Sequence, residues 1–474
     1  MHPIHTLFQG PRRLMAPGRR RLLLGAGSLA VALALSACGS LAPPAETRPP
    51  VVFVHGNGDS AALWLATLWR FESQGWPRDR LHAVDLPYPL ARDDDTVAQA
   101  GRSSATEQAQ ALARTVDRVL ARTGARQVVL VGNSRGGNAI RNYVQNFGGA
   151  AKVSHAVLGG TPNHGVQADP AVNPRNEFNG AGAFLTGLNS PKGANGDEVT
   201  PGVRWMTLRS DNNDKFAQPD GTWIGRAGKP TYVSFDGPAL KGAHNVVLPG
   251  RDHREVSYHP QAFVQTWTFI TGQAPRSDRI EAETTVVLDG QVGAPGPGGP
   301  TNLGLAGATV EVHAVDTATG ARRGPPLHRQ TTGADGRWGP MQTVPTQALE
   351  FVIDAPGQAT LHVYRSAFPR SSQVVHFRPE RLSDADKASQ AVVSLTRPRG
   401  YFGLPRDRID FDGQQPAPGI PAGVAGVAAS RLRLADAGDR PVVASFESGV
   451  IHERVVGRTW PVQQNHLVVL ELHD

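Results

Sequence analysis

The chain of 474 residues contains a single cysteine, Cys38, so it has no partner for an internal disulfide bond. Aromatic residues make up only 6% of the sequence, whereas the apolar content of 39% is ordinary for a globular protein. No stretch after residue 38 is long and apolar enough to span a bilayer. We therefore expect two or three domains that are stabilised by their hydrophobic cores alone.

Acidic residues are absent from the first 37 positions, which contain five arginines. The formal net charge of the whole chain is +7, and subtracting those five leaves only +2 for the remainder. A basic surface that could bind nucleic acid is therefore not expected in the rest of the chain.

Residues 1–37 have the organisation of a signal peptide, because Arg19-Arg20-Arg21 precede a short apolar run. The run ends in Leu35-Ser36-Ala37-Cys38-Gly39, which resembles the lipobox of bacterial lipoproteins. This resemblance implies lipidation of Cys38 and a cell-envelope lipoprotein, at the outer membrane or the cell surface. A secreted protein, with an incidental cysteine beside the cleavage site, is the alternative. The arginines fit either the ordinary secretory route or the twin-arginine route.

Buried apolar strands alternate with segments of helical spacing from residue 50 to residue 275. The pattern predicts strands over 51–54, 81–86, 128–131, 156–158, 205–208 and 246–248, and helices over 106–122, 137–147 and near 260–270. Solidly apolar strands separated by helices predict an α/β fold with a doubly wound, mostly parallel sheet. Residues 166–202, rich in Gly, Asn and Pro, interrupt this pattern. They form either a cap or lid over the site or a solvated surface insertion.

The pattern is different on both sides of this α/β domain. Residues 38–49 are proline-rich and predict an extended tether. Near residue 280 helical spacing disappears, and short alternating runs are separated by turn signals. We expect an all-β sandwich or barrel over 281–397 and a further β-rich lobe over 398–474.

Ser134 is the strongest candidate for a catalytic residue. It lies in Gly132-Asn133-Ser134-Arg135-Gly136, after an apolar strand and before a helix, which is the context of a G-x-S-x-G nucleophile elbow. The sharp turn strains the backbone of the serine and leaves no room for side chains on the flanking glycines. The motif therefore predicts a nucleophilic serine at the edge of the sheet.

A serine hydroxyl needs a base and an acid that orients the base. In enzymes with this type of nucleophile elbow, both residues follow the serine along the chain. Asp211 and Asp214 follow the strand over 205–208, and we favour Asp214 because it lies one short turn past the strand. His253 follows the strand over 246–248 and is the predicted base, with His259 as its rival at the start of the last helix. His55, which precedes Ser134, is interpreted as structural.

Negative charge on the carbonyl oxygen in the transition state requires two backbone N–H donors. We expect these from Arg135, the residue after the nucleophile, and from Asn57, in the loop after the first strand. No cofactor is expected. Asp407, Asp410 and Asp412 lie close together but lack the spacing of a calcium loop, so no metal site is predicted.

These motifs together resemble the small bacterial lipases of the α/β-hydrolase superfamily. The resemblance covers about residues 50–272 and rests on 54–58, 73–76, 81–85, 132–137 and 158–162. The β-rich C-terminal half is similar to the larger microbial lipases that carry a lipid-binding β domain. The resemblance implies a triad of Ser134, Asp214 and His253. Those lipases often have Met or Gln where this chain has Arg135, a cation that either favours anionic or polar substrates or pairs with a nearby acid.

The function expected from the sequence is a serine carboxylester hydrolase that cleaves lipids or other water-insoluble esters through an acyl-enzyme on Ser134. An acyltransferase that uses the same three residues is one alternative. A non-catalytic surface-binding lipoprotein is the other, although such a protein would not need all three groups in this order. The sequence leaves the oligomeric state open.

Overall fold

The computed structural model describes residues 48–474. The predicted signal peptide, Cys38 and nearly all of the tether over 38–49 lie outside the described residues, so their interpretation stays a prediction.

A six-stranded sheet forms the centre of the first half of the chain. Its strands are β1 (Val51–Val54), β2 (Leu81–Val84), β3 (Val128–Asn133), β4 (Val153–Gly159), β5 (Arg204–Ser210) and β6 (His244–Leu248). All neighbouring strands are parallel, and their order is β2-β1-β3-β4-β5-β6. This is the predicted parallel sheet, and it confirms the expected fold class.

Helices cover both faces of this sheet. They are α1 (Leu65–Ser73), α2 (Ala105–Thr123), α3 (Arg135–Asn146), α4 (Ala183–Leu188), α5 (Glu255–Tyr258) and α6 (Pro260–Thr271). Neighbouring β1 residues point to opposite faces, so Val52 packs in the cluster with α2 and α3, and Phe53 in the cluster with α1 and α6. α2 begins with a capping box between Ser104 and Glu107 and ends at Gly124, whose φ is +65°.

The second half of the chain is β-rich, as the sequence predicted. Its strands are β7 (Val286–Leu288), β8 (Gly293–Gly296), β9 (Gly299–Gly304), β10 (Thr309–Ala314), β11 (His328–Thr331), β12 (Met341–Thr343), β13 (Leu349–Asp354), β14 (Thr360–Arg365), β15 (Ala391–Thr396), β16 (Arg408–Phe411), β17 (Ala429–Leu434), β18 (Pro441–Ser448), β19 (Ile451–Arg458) and β20 (His466–Glu471). One short helix, α7 (Asp384–Lys387), precedes β15.

Seven of these strands form a mixed sheet in the order β11-β10-β13-β14-β20-β15-β17. The last strand, β20, lies between β14 and β15 and is parallel to both. Residues 398–474 therefore contribute the strand that joins the two parts of the sheet. A separate three-stranded sheet contains β16, β18 and β19.

Helix α1 connects the two halves of the chain. Its Phe71 packs against one face of the parallel sheet. Its Leu65 and Trp69 belong instead to the buried cluster that contains Trp338 and Phe351 of the β-rich half. The indole N–H of Trp69 donates to the carbonyl oxygen of Ser371 at 3.0 Å. The two halves therefore share a continuous apolar core. Within residues 48–474, no helix is both long enough and apolar enough to cross a membrane.

Candidate active site

Ser134 occupies the sharp turn between β3 and α3. Its φ of 53° and ψ of −122° lie in a region of backbone angles that residues other than glycine rarely adopt, so the backbone there is strained. A Cβ on Gly132 would lie 2.7 Å from Cδ1 of Ile140, and a Cβ on Gly136 would overlap the carbonyl oxygen of Val54. The two glycines are therefore required by the close packing of the turn against β1 and α3.

His253 and Asp214 contact each other although they lie on different loops. Nδ1 of His253 donates to Oδ2 of Asp214 at 2.8 Å, and Oδ1 of Asp214 accepts from the backbone N–H of Phe216 at 2.8 Å. The Phe216 ring packs edge-on against the imidazole, 4.6 Å between centroids. Within the described residues the buried Nε2 of His253 has no hydrogen-bond partner. With the proton on Nδ1, this nitrogen can accept a proton from a group in the cavity.

Asp211 and His259, the alternative acid and base, form hydrogen bonds with backbone groups of nearby turns. Asp211 accepts hydrogen bonds from the backbone N–H groups of Asn213 and Gly250, at 3.3 and 3.0 Å, and stabilises the turn. His259 caps α6 by accepting from the backbone N–H of Gln261, and burial lowers its pKa to about 3. His55 is buried, and its Nε2 accepts from a backbone N–H at 3.1 Å.

Ser134 and His253 line one cavity of about 330 Å³. Its other lining residues are Asn57, Asp59, Asn133, Pro162, Val166, Gln167, Asn173, Asn176, Phe178, Phe216, Ile224, Arg226, Arg254 and Tyr401. Five of them, from Val166 to Phe178, come from the irregular segment over 166–202, so this segment borders the cavity. It also contains α4, whose six residues are too few to show a helical pattern in the sequence.

A second cavity, of about 510 Å³, lies on the other side of Pro162 and Phe216. It is also bordered by His253, and its walls include the apolar side chains of Leu208 and Phe235. His253 therefore borders both cavities, of which only the first is also bordered by Ser134.

The predicted oxyanion donors, Asn57 and Arg135, lie shortly after β1 and β3. Arg135 is the first residue of α3, and the backbone N–H groups of a first helical turn have no acceptor within the helix. Asn57 follows β1 and borders the cavity, while its side-chain Oδ1 accepts from the backbone N–H of Ala91 at 2.8 Å. Asn57 thus has its side chain engaged in the loop, and the backbone N–H is the predicted donor.

The Arg135 side chain points away from the cavity into a buried ion pair. Its Nε donates to Oε1 of Glu177 at 2.8 Å, and both side chains are 2% exposed. Nη1 and Nη2 donate to the carbonyl oxygens of Pro89 and Ser103. Burial raises the pKa of Glu177, although Arg135 opposes this effect. Of the two roles considered for Arg135, the structure supports pairing with an acid, which attaches the segment over 166–202 to the start of α3.

Sequence reasoning missed the contribution of the C-terminal lobe to the cavity. Tyr401 borders the cavity that contains Ser134, although the two residues are far apart in sequence. No motif or spacing in the sequence connects them. Within residues 48–474, no group of three or more His, Cys, Asp or Glu side chains is arranged to hold a metal ion.

Two parts of the chain match known protein families. Residues 49–226 match the family described as alpha/beta hydrolase fold, and residues 284–382 match the family described as Lipase C-terminal domain. The first half of the chain thus matches an α/β-hydrolase domain and the second half includes a match to a lipase C-terminal domain, in agreement with the resemblance to bacterial lipases. These matches support a hydrolase of the lipase or esterase type.

Solved structures with some similarity include two microbial lipases. The mature form of Bacillus licheniformis lipase BlEst2 is 18% identical, with a TM-score of 0.33, over 48% of this chain and 95% of that one. Aspergillus fumigatus lipase B is 15% identical, with a TM-score of 0.34, over 49% of this chain and 55% of that one. Carboxylesterase CesB from Bacillus subtilis is 16% identical, with a TM-score of 0.26, over 48% of this chain and 85% of that one.

Proposed function

We propose that the protein is a serine carboxylester hydrolase that acts through an acyl-enzyme on Ser134. The observation that carries this proposal is that the strained Ser134 turn and His253, which is hydrogen-bonded to Asp214, border a single cavity. A serine that served only as a structural element would need neither the strained backbone nor a buried imidazole with an unpartnered Nε2.

In the proposed reaction, Oγ of Ser134 attacks the ester carbonyl carbon and its proton passes to Nε2 of His253. Asp214 keeps the proton on Nδ1 and stabilises the imidazolium that forms. The backbone N–H groups of Asn57 and Arg135 bind the oxyanion. The imidazolium then protonates the leaving alcohol. A water molecule that gives its proton to His253 cleaves the acyl-enzyme, which releases the carboxylic acid and restores the serine.

The size and lining of the cavity support small or short-chain esters as the preferred substrates. Its volume of about 330 Å³ lies at the lower end of the range for ligand pockets. Much of its wall is polar, including Asn173, Asn176, Gln167 and Arg226. Longer acyl chains of lipids would have to extend beyond this cavity. After export directed by the predicted signal peptide, a lipid on Cys38 would hold the enzyme at the cell envelope, close to water-insoluble esters.

The test is hydrolysis of p-nitrophenyl esters from C2 to C16 by the chain from Gly39 onwards. Replacing Ser134 with Ala should abolish turnover, and Asp214→Asn should lower kcat by about 10⁴-fold because an amide neither keeps the proton on Nδ1 of His253 nor stabilises the imidazolium. Asp211→Asn is the matched control, since Asp211 accepts from the backbone N–H groups of Asn213 and Gly250, whereas Asp214 is the acid that contacts His253.

Near-normal activity of the Ser134→Ala variant would rule out the proposed nucleophile. A large loss in Asp211→Asn together with an active Asp214→Asn variant would exchange the roles of the two acids. Transfer of the acyl group to an added alcohol in preference to water would favour the acyltransferase.

A further inference from the structure

The residues on either side of Asp214 both contact the segment 397–426, at the start of the C-terminal lobe. Oδ1 of Asn213 accepts from the backbone N–H of Ala425 at 2.9 Å, and Nζ of Lys215 donates to the carbonyl oxygen of Gly426 at 2.8 Å. The loop that carries the proposed acid is therefore held to this segment on both sides.

The residues on either side of His253 contact the same segment. Oδ2 of Asp252 accepts from the backbone N–H of Tyr401 at 2.8 Å, and Nη1 of Arg254 donates to the carbonyl oxygen of Pro398 at 3.0 Å. The loop of the proposed base is thus held to segment 397–426 on both sides, as the loop of the acid is.

A buried network of charges strengthens this attachment. Arg397 is fully buried, donates to Oε1 of Glu255 at 2.6 Å, and also contacts Asp252 at 3.3 Å. Arg406 donates to Oε2 of Glu255 at 2.7 Å. Burial acts to raise the pKa of Glu255, but the two arginines outweigh it and lower the pKa. Both arginines also donate to the carbonyl oxygen of Tyr401, at 2.7 and 2.8 Å, so the backbone of Tyr401 is fixed by the network.

The Tyr401 ring lies where these contacts converge. Nζ of Lys215 is 3.9 Å from the ring centroid, and the guanidinium carbon of Arg254 is 4.7 Å from it. Lys215 directly follows Asp214, and Arg254 directly follows His253. The cations of both loops thus contact one aromatic ring, which also borders the cavity of Ser134.

We propose that Tyr401 is a residue of the active site, where its ring contacts the bound ester and, through Lys215 and Arg254, positions the loops of Asp214 and His253. This inference rests on the proposed function, because it takes the cavity of Ser134 to be the place where the ester reacts. It assigns to the C-terminal lobe a part in selecting and orienting the substrate.

Two consequences separate this role from a purely structural one. A wall residue limits the size of the ester, so its removal enlarges the cavity and changes the ratio of activities on large and small esters. A residue that positions the acid and the base affects kcat, because small displacements of catalytic groups have large effects on rate.

The experiment compares p-nitrophenyl acetate with p-nitrophenyl octanoate in the full chain and its variants. Tyr401→Ala should lower kcat on the acetate by about tenfold and raise the octanoate-to-acetate ratio of kcat/KM by about fivefold. Tyr401→Phe keeps the ring and should recover most of the activity. Lys215→Met should lower kcat by about threefold without changing the ratio, because the cavity wall stays intact.

Tyr88→Ala is the matched control, since Tyr88 is 40% exposed and does not border the cavity, and it should leave both esters unaffected. Should Tyr401→Ala fail to fold in a thermal melt, Tyr401→Leu takes its place with the same expected direction. A folded variant with wild-type kcat and an unchanged ester ratio would overturn the inference, as would a loss of thermal stability alone.

The proposed function is checked separately by covalent labelling of Ser134 with a small organophosphate ester. Labelling that persists in Ser134→Ala refutes the proposed nucleophile, whatever the Tyr401 variants do. Labelling of Ser134 together with an unchanged ester ratio in Tyr401→Ala refutes only the role of Tyr401.

Discussion

The backbone of Ser134 is held by the parallel sheet, whereas side chains beside His253 and Asp214 contact residues more than 140 positions further along the chain. The backbone N–H of Ser134 donates to the carbonyl oxygen of Gly159 on the adjacent strand at 2.9 Å. The acid and base loops depend instead on Arg397, Tyr401 and Ala425. The serine turn is thus positioned by the sheet itself, whereas the acid and base loops are held by contacts with residues 397–425.

The loop after β1 resembles the acid and base loops in this respect. Nη1 of Arg378 donates to the carbonyl oxygen of Gly58 at 2.6 Å, and Nδ2 of Asn302 donates to that of Asp59 at 2.9 Å. Every loop proposed to supply a catalytic group, other than the serine turn, therefore contacts the C-terminal half. The β-rich half is therefore part of the scaffold of the site.

The largest effect of this arrangement on stability is expected for Arg397→Met. The change leaves Glu255 and Asp252 with fewer cationic partners in a fully buried position, which costs about 3–5 kcal/mol of the free energy of unfolding. Esterase activity should fall as well, because Asp252 and Glu255 flank the loop of His253. Urea unfolding and hydrolysis of p-nitrophenyl acetate measure the two effects.

Arg408→Met is the control for this change. Arg408 is 79% exposed and pairs with Glu447 at the surface, so its loss should cost less than about 1 kcal/mol. Equal unfolding midpoints for the two variants would contradict a stabilising role of the buried network.

A smaller effect is expected for Gly136→Ala, which tests the serine turn. The added methyl group would meet the carbonyl oxygens of Val54 and His55, so the turn must shift at a cost of about 1–3 kcal/mol. Activity should fall more than stability, because the nucleophile itself moves. Gly187→Ala in α4 is the matched control, since a Cβ there has open space around it. Wild-type activity of Gly136→Ala would show that the turn does not need a glycine at this position.

The same contrast explains what the sequence could predict. The serine turn is specified by neighbours in sequence, Gly132 and Gly136, so a five-residue motif is sufficient to find it. Asp214 and His253 could be proposed only from their order and from the strands before them. That Asp214 rather than Asp211 reaches His253 depends on a backbone turn that side-chain patterns do not encode.

Other features had no signal in the sequence at all. Tyr401 borders the cavity because hydrogen bonds to Asp252, Arg397 and Arg406 hold its backbone, and the pattern of apolar residues does not reveal such contacts. The pair of Arg135 and Glu177 joins a helix start to an irregular segment, for which no spacing rule exists. Helix α4 has only six residues, too few for a helical period to stand out.

The smallest effect is expected where the two halves meet at the partly exposed pair of Asp85 and His376, which lie 2.9 Å apart. Burial acts to raise the pKa of Asp85, but His376 and the backbone N–H of Ala61 outweigh it and lower the pKa from 3.8 to about 2. The ionised carboxylate therefore stabilises the folded state by about 2 kcal/mol at most. Because the pKa is lower in the folded state, this contribution is complete above pH 5 and is lost as the pH falls from about 4 to about 2.

Asp85→Asn tests this pH dependence against the wild-type chain in urea unfolding at pH 6 and pH 3. The variant should be less stable at pH 6, and the difference between the two chains should become smaller at pH 3, where the carboxylate of the unfolded wild-type chain is mostly protonated. A difference that is the same at both pH values would mean that the ion pair contributes nothing and that the variant acts only through altered packing. In that case the contacts between the halves would depend on the shared apolar core around Trp69 and on the buried arginines, with no contribution from this pair.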